Sequence, residues 1–138
     1  MADAAKKSIF EKFKTDETME ETGVWANFGD GIRIKIRRLK SKKSLDARRE
    51  LDKPIANEIR RGTLSAEEQK DLAIKQVAYG VIADWEGVTN VEGEDIVYTA
   101  KNAYELLKAL PELADLIIGI SVEADNYREQ VVADAVKN

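Results

Sequence analysis

The chain is 138 residues and 15.4 kDa, with 43% hydrophobic and 35% charged residues; this is material for one folded core, and it excludes both a two-lobed enzyme and an intrinsically disordered chain. It has neither cysteine nor histidine, which removes disulfides, thiol nucleophiles, imidazole bases and the usual zinc, haem and iron-sulfur ligands. The net charge is −4, but residues 32–61 carry 12 Lys or Arg against 4 Asp or Glu, a local +8 that leaves −12 for the remainder.

Residues 1–22 are polar and mixed, with Ile9, Phe10 and Phe13 the only large apolar side chains before the acids Glu17, Glu20 and Glu21; they read as a frayed helix or a mobile arm preceding a single domain over 23–138. Gly23 to Phe28 is a short strand, Gly29-Asp30-Gly31 tolerates positive φ, and Ile32 to Arg37 alternates with period two. Together they predict a β-hairpin with Ile32, Ile34 and Ile36 on its inner face.

From Ser44 the pattern turns helical. Pro54 restarts the chain at a first-turn position and Gly62 stops it. Ser65-Ala66-Glu67-Glu68 is a capping box, and Ile74, Val77, Ala78, Val81, Ile82 and Trp85 follow as one apolar stripe, so the spacing predicts a helix that closes at Gly87. Val88 to Tyr98 suits a loop or a small hairpin. Thr99 caps a helix through Ala103, Leu106, Leu107 and Leu110. Pro111 opens a last helix toward Ala135, whose core-facing stripe is Leu113, Leu116, Ile117, Ile120, Ala124 and Tyr127. The expected class is α+β, mainly helical, with a small N-terminal hairpin packed on a cluster of four to five helices. The apolar stretches fall short of the roughly 20 residues that span a bilayer, and no signal-peptide core follows Met1; the expected location is the cytosol of the producing cell.

Several features invite chemistry. The basic segment, with Arg37, Arg38, Lys40, Lys42, Lys43, Arg48, Arg49, Arg60 and Arg61, could neutralise phosphates, but it lacks interleaved aromatics and a glycine-rich phosphate loop. A solvated face is the preferred reading. Asn90 to Asp95 superficially resembles a calcium loop, yet aligning Gly93 puts Val88 and Thr99 where carboxylates are needed. Asp84 and Glu86 are paired carboxylates at what reads as an exposed helix end, without the desolvation that acid-base catalysis requires. Trp25 and Trp85 both read as core. No catalytic residue, metal site or cofactor is expected. The last helix is apolar on a second face, through Ile118, Val122, Val132 and Val136, and this face is the candidate partner or self-association surface.

The order of these signals resembles a known family. A Gly23-Val24-Trp25 hairpin with a basic second strand is followed by Lys53-Pro54 into a basic helix ending Arg60-Arg61-Gly62. Asp84-Trp85-Glu86-Gly87-Val88-Thr89, an acidic glycine turn, Ile96-Val97-Tyr98-Thr99 and the Asn102 to Pro111 helix junction come next. Over residues 22–138 this is similar to the tail assembly chaperones of long, non-contractile-tailed bacteriophages and prophages. The resemblance implies a non-catalytic protein of the host cytoplasm, absent from the mature virion. It would bind the tape measure protein, keep it soluble, self-associate, and reach the tail tube protein mainly through a longer product of programmed frameshifting. Codons GTA AAA AAC for Val136-Lys137-Asn138 would contain the slippery heptamer A AAA AAC. The competing readings are a nucleic-acid-binding regulator using residues 32–61 and a minor structural tail or head-completion protein.

Overall fold

The computed structural model of the protein describes residues 8–128. The predicted hairpin is formed by β1 (Val24–Gly29) and β2 (Ile32–Ile36), antiparallel, with Ala26 opposite Ile34. Asp30 has a φ of 55° and Gly31 one of 79°, the left-handed pair that a tight hairpin turn needs to match strand twist. Ile34 and Ile36 are fully buried, while Arg33 and Lys35 point outward.

A hairpin alone is marginal in water, and a third strand completes it. Here the structure corrects the sequence reading. α5 (Ala66–Gln76), opened by the Ser65–Glu68 capping box, gives way to one wide helical turn at Val77–Val81, and Ile82–Glu86 extends as β3. The sheet is antiparallel throughout, in the order β1-β2-β3, and pairs Ile34 with Trp85 and Lys35 with Asp84. Gly80 weakens the helix at this point and the β-branched Val81 and Ile82 favour extension. Ile82 and Trp85 are buried in either conformation, so a helical stripe through them could not reveal the change.

The Val77–Val81 turn is the hub of the core. Val77, Ala78 and Val81 are buried, and α3 (Lys42–Asp52), α5, α6 (Ala100–Ala109) and α7 (Pro111–Val122) all pack on it. A Cβ on Gly80 would lie 3.1 Å from both the Ala47 Cβ and the Ser44 Cα, so glycine lets α3 approach the turn closely. A short 3-10 turn containing Pro54 leads from α3 into α4 (Ala56–Arg61), which Gly62 ends in the left-handed region. Trp85 is core, as expected. Its indole N–H donates to the Ile96 carbonyl at 2.8 Å, its ring meets Tyr98 edge-on at 5.2 Å, and the Tyr98 hydroxyl donates to the Ile82 carbonyl. These contacts hold the Val88–Tyr98 loop against β3.

At the C-terminal side the last helix is shorter than its periodicity suggests. α7 ends at Val122, Glu123 is extended, and Ala124–Tyr127 forms a 3-10 turn. Tyr127 is what the early stop makes possible: fully buried, it donates its hydroxyl to the Ile36 carbonyl at 3.0 Å and caps the inner end of the sheet. Upstream of β1, α1 (Ile9–Phe13) and α2 (Glu17–Thr22) precede the hairpin. Residues 16–22, placed with the arm by sequence, are tied to the body. The Asp16 N–H donates to the Tyr127 carbonyl, the Arg38 N–H donates to the Glu20 carbonyl, and the Glu21 carboxylate accepts the Lys42 and Lys43 amides at the start of α3.

Candidate interaction surfaces

Among the described residues no group of acidic side chains could hold a metal ion, and no helix is long and apolar enough to cross a membrane. The Asn90–Asp95 loop is a turn. The Asn90 side-chain oxygen accepts the Glu92 and Glu94 amides, which is turn chemistry within the loop's own backbone. Asp84 and Glu86 lie on the exposed face of β3 rather than at a helix end, and Glu86 pairs with Arg33 at 3.1 Å.

The basic segment does not gather on one face. Arg37 is turned inward, its Nε donating to the Glu21 carbonyl, and Arg38 pairs with Glu20 at 3.4 Å beneath the Tyr127 ring. The other predicted arginines sit exposed on α3 and α4, laddered with acids and amides of their own helices. Arg48 lies 3.8 Å from Asp52 and Arg49 3.1 Å from Asp46, Arg60 donates to the Asn57 side chain, and Arg61 closes α4. Lys53 pairs likewise with Glu50 and holds that carboxyl below its usual range.

The second predicted surface is rotated from its expected position. Ala114, Ile117 and Ser121 are the buried face of α7, and Ile118 packs beside them against the core; the residue that faces solvent is Leu116, at 59% exposure. Val122 is exposed as predicted. Val132 and Val136 lie outside the described residues. The sequence reading put the neighbours Leu116 and Ile117 on one core-facing stripe; the exposed Glu112, Asp115 and Gly119 mark the outer face, and Leu116 lies with them.

Sequence reasoning missed three features. Trp25 is not core: Val24, Ala26 and Phe28 take the inner face of β1, leaving Trp25 outside with the Arg33 guanidinium 4.4 Å and the Lys35 ammonium 5.7 Å from its ring centroid. Strict alternation through Val24, Ala26 and Phe28 was the signal that could have found this. On α1, Ile9, Phe10 and Phe13 are exposed together. A groove of about 240 Å³ runs between α3, α4 and α5, with Ile59, Leu64 and Leu72 in its lining. A separate polar contact is structural: the Tyr104 hydroxyl donates to Asp71, locking α6 to α5. That bond holds the Asp71 carboxyl below its usual range and pushes the Tyr104 phenol up to about 12.

The sequence model of the family described as YdaY prophage protein matches residues 39–138, well over half of the chain. This chain belongs to the YdaY prophage protein family. The family segment starts at Leu39, whose N–H donates to the Ser121 carbonyl, and takes in α3 to α7, β3 and the Trp85 loop, with α1, α2 and the β1-β2 hairpin ahead of it. No curated protein and no solved structure matches the chain. For a member of the YdaY family, a role in the biology of a phage or prophage follows.

Proposed function

We propose that this prophage protein is a tail assembly chaperone, acting in the cytoplasm of the bacterial host on the tape measure protein and, mainly through a longer frameshifted form, on the tail tube protein. The observation that carries the reading is where the fold leaves its large apolar side chains. Ile9, Phe10 and Phe13 on α1, Leu45 and Ile59 on α3 and α4, and Leu116 and Val122 on α7 are all outside, those on α3 and α4 beside cations laddered with acids and amides. Such surfaces suit covering an apolar helical client and packing copies together, with no chemistry performed. Self-association in part through opposite charges is expected to weaken as salt rises. The test is co-expression with the very long helical reading frame of the same prophage. A chaperone keeps that product in the soluble fraction, copurifies with it and is missing from purified virions. A client equally soluble without it, or the protein found in virions, refutes the reading.

One observation favours a second reading. Trp25 between Arg33 and Lys35 on an open sheet face is the stacking aromatic with cations that a single-stranded nucleic acid would use. Asp84 and Glu86 on the same face oppose it. A gel shift at physiological salt, abolished by Trp25→Ala, would support this second reading.

A further inference from the structure

We propose that copies of this chain join head to tail, α1 of one copy seating in the α3–α4–α5 groove of the next. This deepens the self-association of the chaperone reading by naming its two surfaces, and it does not depend on who the client is. On the donor side, Ile9, Phe10 and Phe13 are 68%, 79% and 61% exposed on a five-residue helix that buries none of its residues. Glu11, Lys12 and Lys14 surround that apolar triplet.

On the acceptor side, the groove's roughly 240 Å³ falls below the ~300–1,000 Å³ of small-molecule pockets and matches an aromatic side chain better. Its lining combines the apolar Ile59, Leu64 and Leu72 with the acids Asp52 and Glu58. Asp52 is incompletely satisfied. One of its carboxylate oxygens is 3.8 Å from Arg48, while Oδ1 is buried with no hydrogen-bond partner among the described residues. That oxygen is closed to a partner copy, so what Asp52 offers the groove is its net charge and its other carboxylate oxygen. Lys12 and Lys14 therefore complement Asp52 and Glu58, and Glu11 complements Arg48.

Because donor and acceptor are different surfaces, the contact is heterologous and builds open chains or rings in place of a closed dimer. One short helix with two phenylalanines buries well under the ~1,200 Å² of a stable interface, so assembly should be reversible and concentration-dependent. The experiment is sedimentation velocity on purified full-length protein from about 10 μM to about 1 mM, with folding of each variant checked by circular dichroism. Wild type should grow with concentration. Phe10→Ser/Phe13→Ser should weaken association at least about tenfold, and Ile59→Asp, or Glu58→Lys should Ile59→Asp not fold, should do the same. Mixing the α1 variant with the groove variant should give a one-to-one complex that stops at two chains, since one surface of each partner is dead. A wild type that stays monomeric throughout, α1 variants that associate like wild type, or a mixture that stays monomeric would each overturn the proposal. These outcomes use no client, so they are independent of the co-expression test.

Discussion

Gly87, which ends β3, offers a direct test of how the sheet is built. Its φ is +73°, and a Cβ placed there would stand 2.2 Å from the Gly31 carbonyl oxygen and 2.9 Å from its carbon, so the β3 end lies against the backbone of the hairpin turn. Gly93 is the matched control: its φ is +82° and nothing lies within 4 Å of the same added atom. The left-handed conformation alone costs a non-glycine residue about 1–2 kcal/mol, so Gly93→Ala should lose about that much. Gly87→Ala adds a clash with main chain that cannot swing aside, about 1–3 kcal/mol more if the turn moves as other overpacked sites do, for about 2–5 kcal/mol in all. Against a total of about 5–15 kcal/mol, that is a large part of the fold's stability. Urea unfolding followed by far-UV circular dichroism measures both variants. Equal losses at the two glycines would refute the packing of β3 on the hairpin turn, and with it the strand that replaces the predicted helix end.

Three further outcomes are expected. Trp85→Phe removes the indole donor and leaves the Ile96 carbonyl in a partly buried setting; it should cost about 1–3 kcal/mol in the same urea assay, and no loss would show that the loop is held otherwise. Tyr104→Phe should reveal a pH window. The Asp71 pKa is depressed, so its contribution is present above the unfolded value of about 4 and fades as pH falls through the folded one; the Tyr104 pKa is raised to about 12, so its contribution is present below about 10 and fades as pH rises through 12. Wild type should therefore exceed Tyr104→Phe in stability by a constant margin from about pH 5 to 9 that narrows on both sides, and a margin independent of pH across the whole range would refute the pairing. On α7, Leu116→Glu/Val122→Glu should change stability by less than about 0.5 kcal/mol per site, whereas Ile118→Glu should cost about 1–3 kcal/mol; thermal melts that rank them the other way would restore the face read from sequence.

The hairpin, the capping box, the Pro54 and Pro111 starts, the Gly62 stop and the Thr99 cap were legible because each rests on local chemistry: a left-handed turn, a hydroxyl on an orphan amide, a ring that fits a first helical turn. What failed to show was set by partners distant in sequence. Ile82–Glu86 becomes a strand because β2, some fifty residues upstream, has an open edge, and Tyr127 leaves the helical path for a carbonyl at Ile36. Trp25 was misplaced for a different reason: its size suggested core, where the two-residue period of β1 already put it outside. Of the candidate surfaces, the exposure of Arg48, Arg49, Arg60, Arg61 and Val122 was readable, while the groove was not, since its lining comes from three helices whose relative placement no local pattern encodes.

The charge asymmetry that the sequence displays also changes meaning in three dimensions. A run of +8 over 30 residues suggests a phosphate-binding face, and a strong one would lose affinity steeply with salt, roughly one power of concentration per phosphate neutralised. Folding breaks up the run. Arg37 and Arg38 bind the chain's own carbonyls and Glu20; Arg33 and Lys35 lie over Trp25 with Glu86 and Asp84 alongside; Arg48, Arg49 and Lys53 each meet an acid three or four residues away on their own helix. Cations laddered with acids in this way present alternating charge, a pattern that a protein surface of opposite alternation can match and a uniform row of phosphates cannot. The same ladders leave the apolar residues between them, Leu45 and Ile59, exposed. An interface drawn from mixed charge and scattered apolar side chains is one that associates reversibly, in keeping with the proposed contacts between copies.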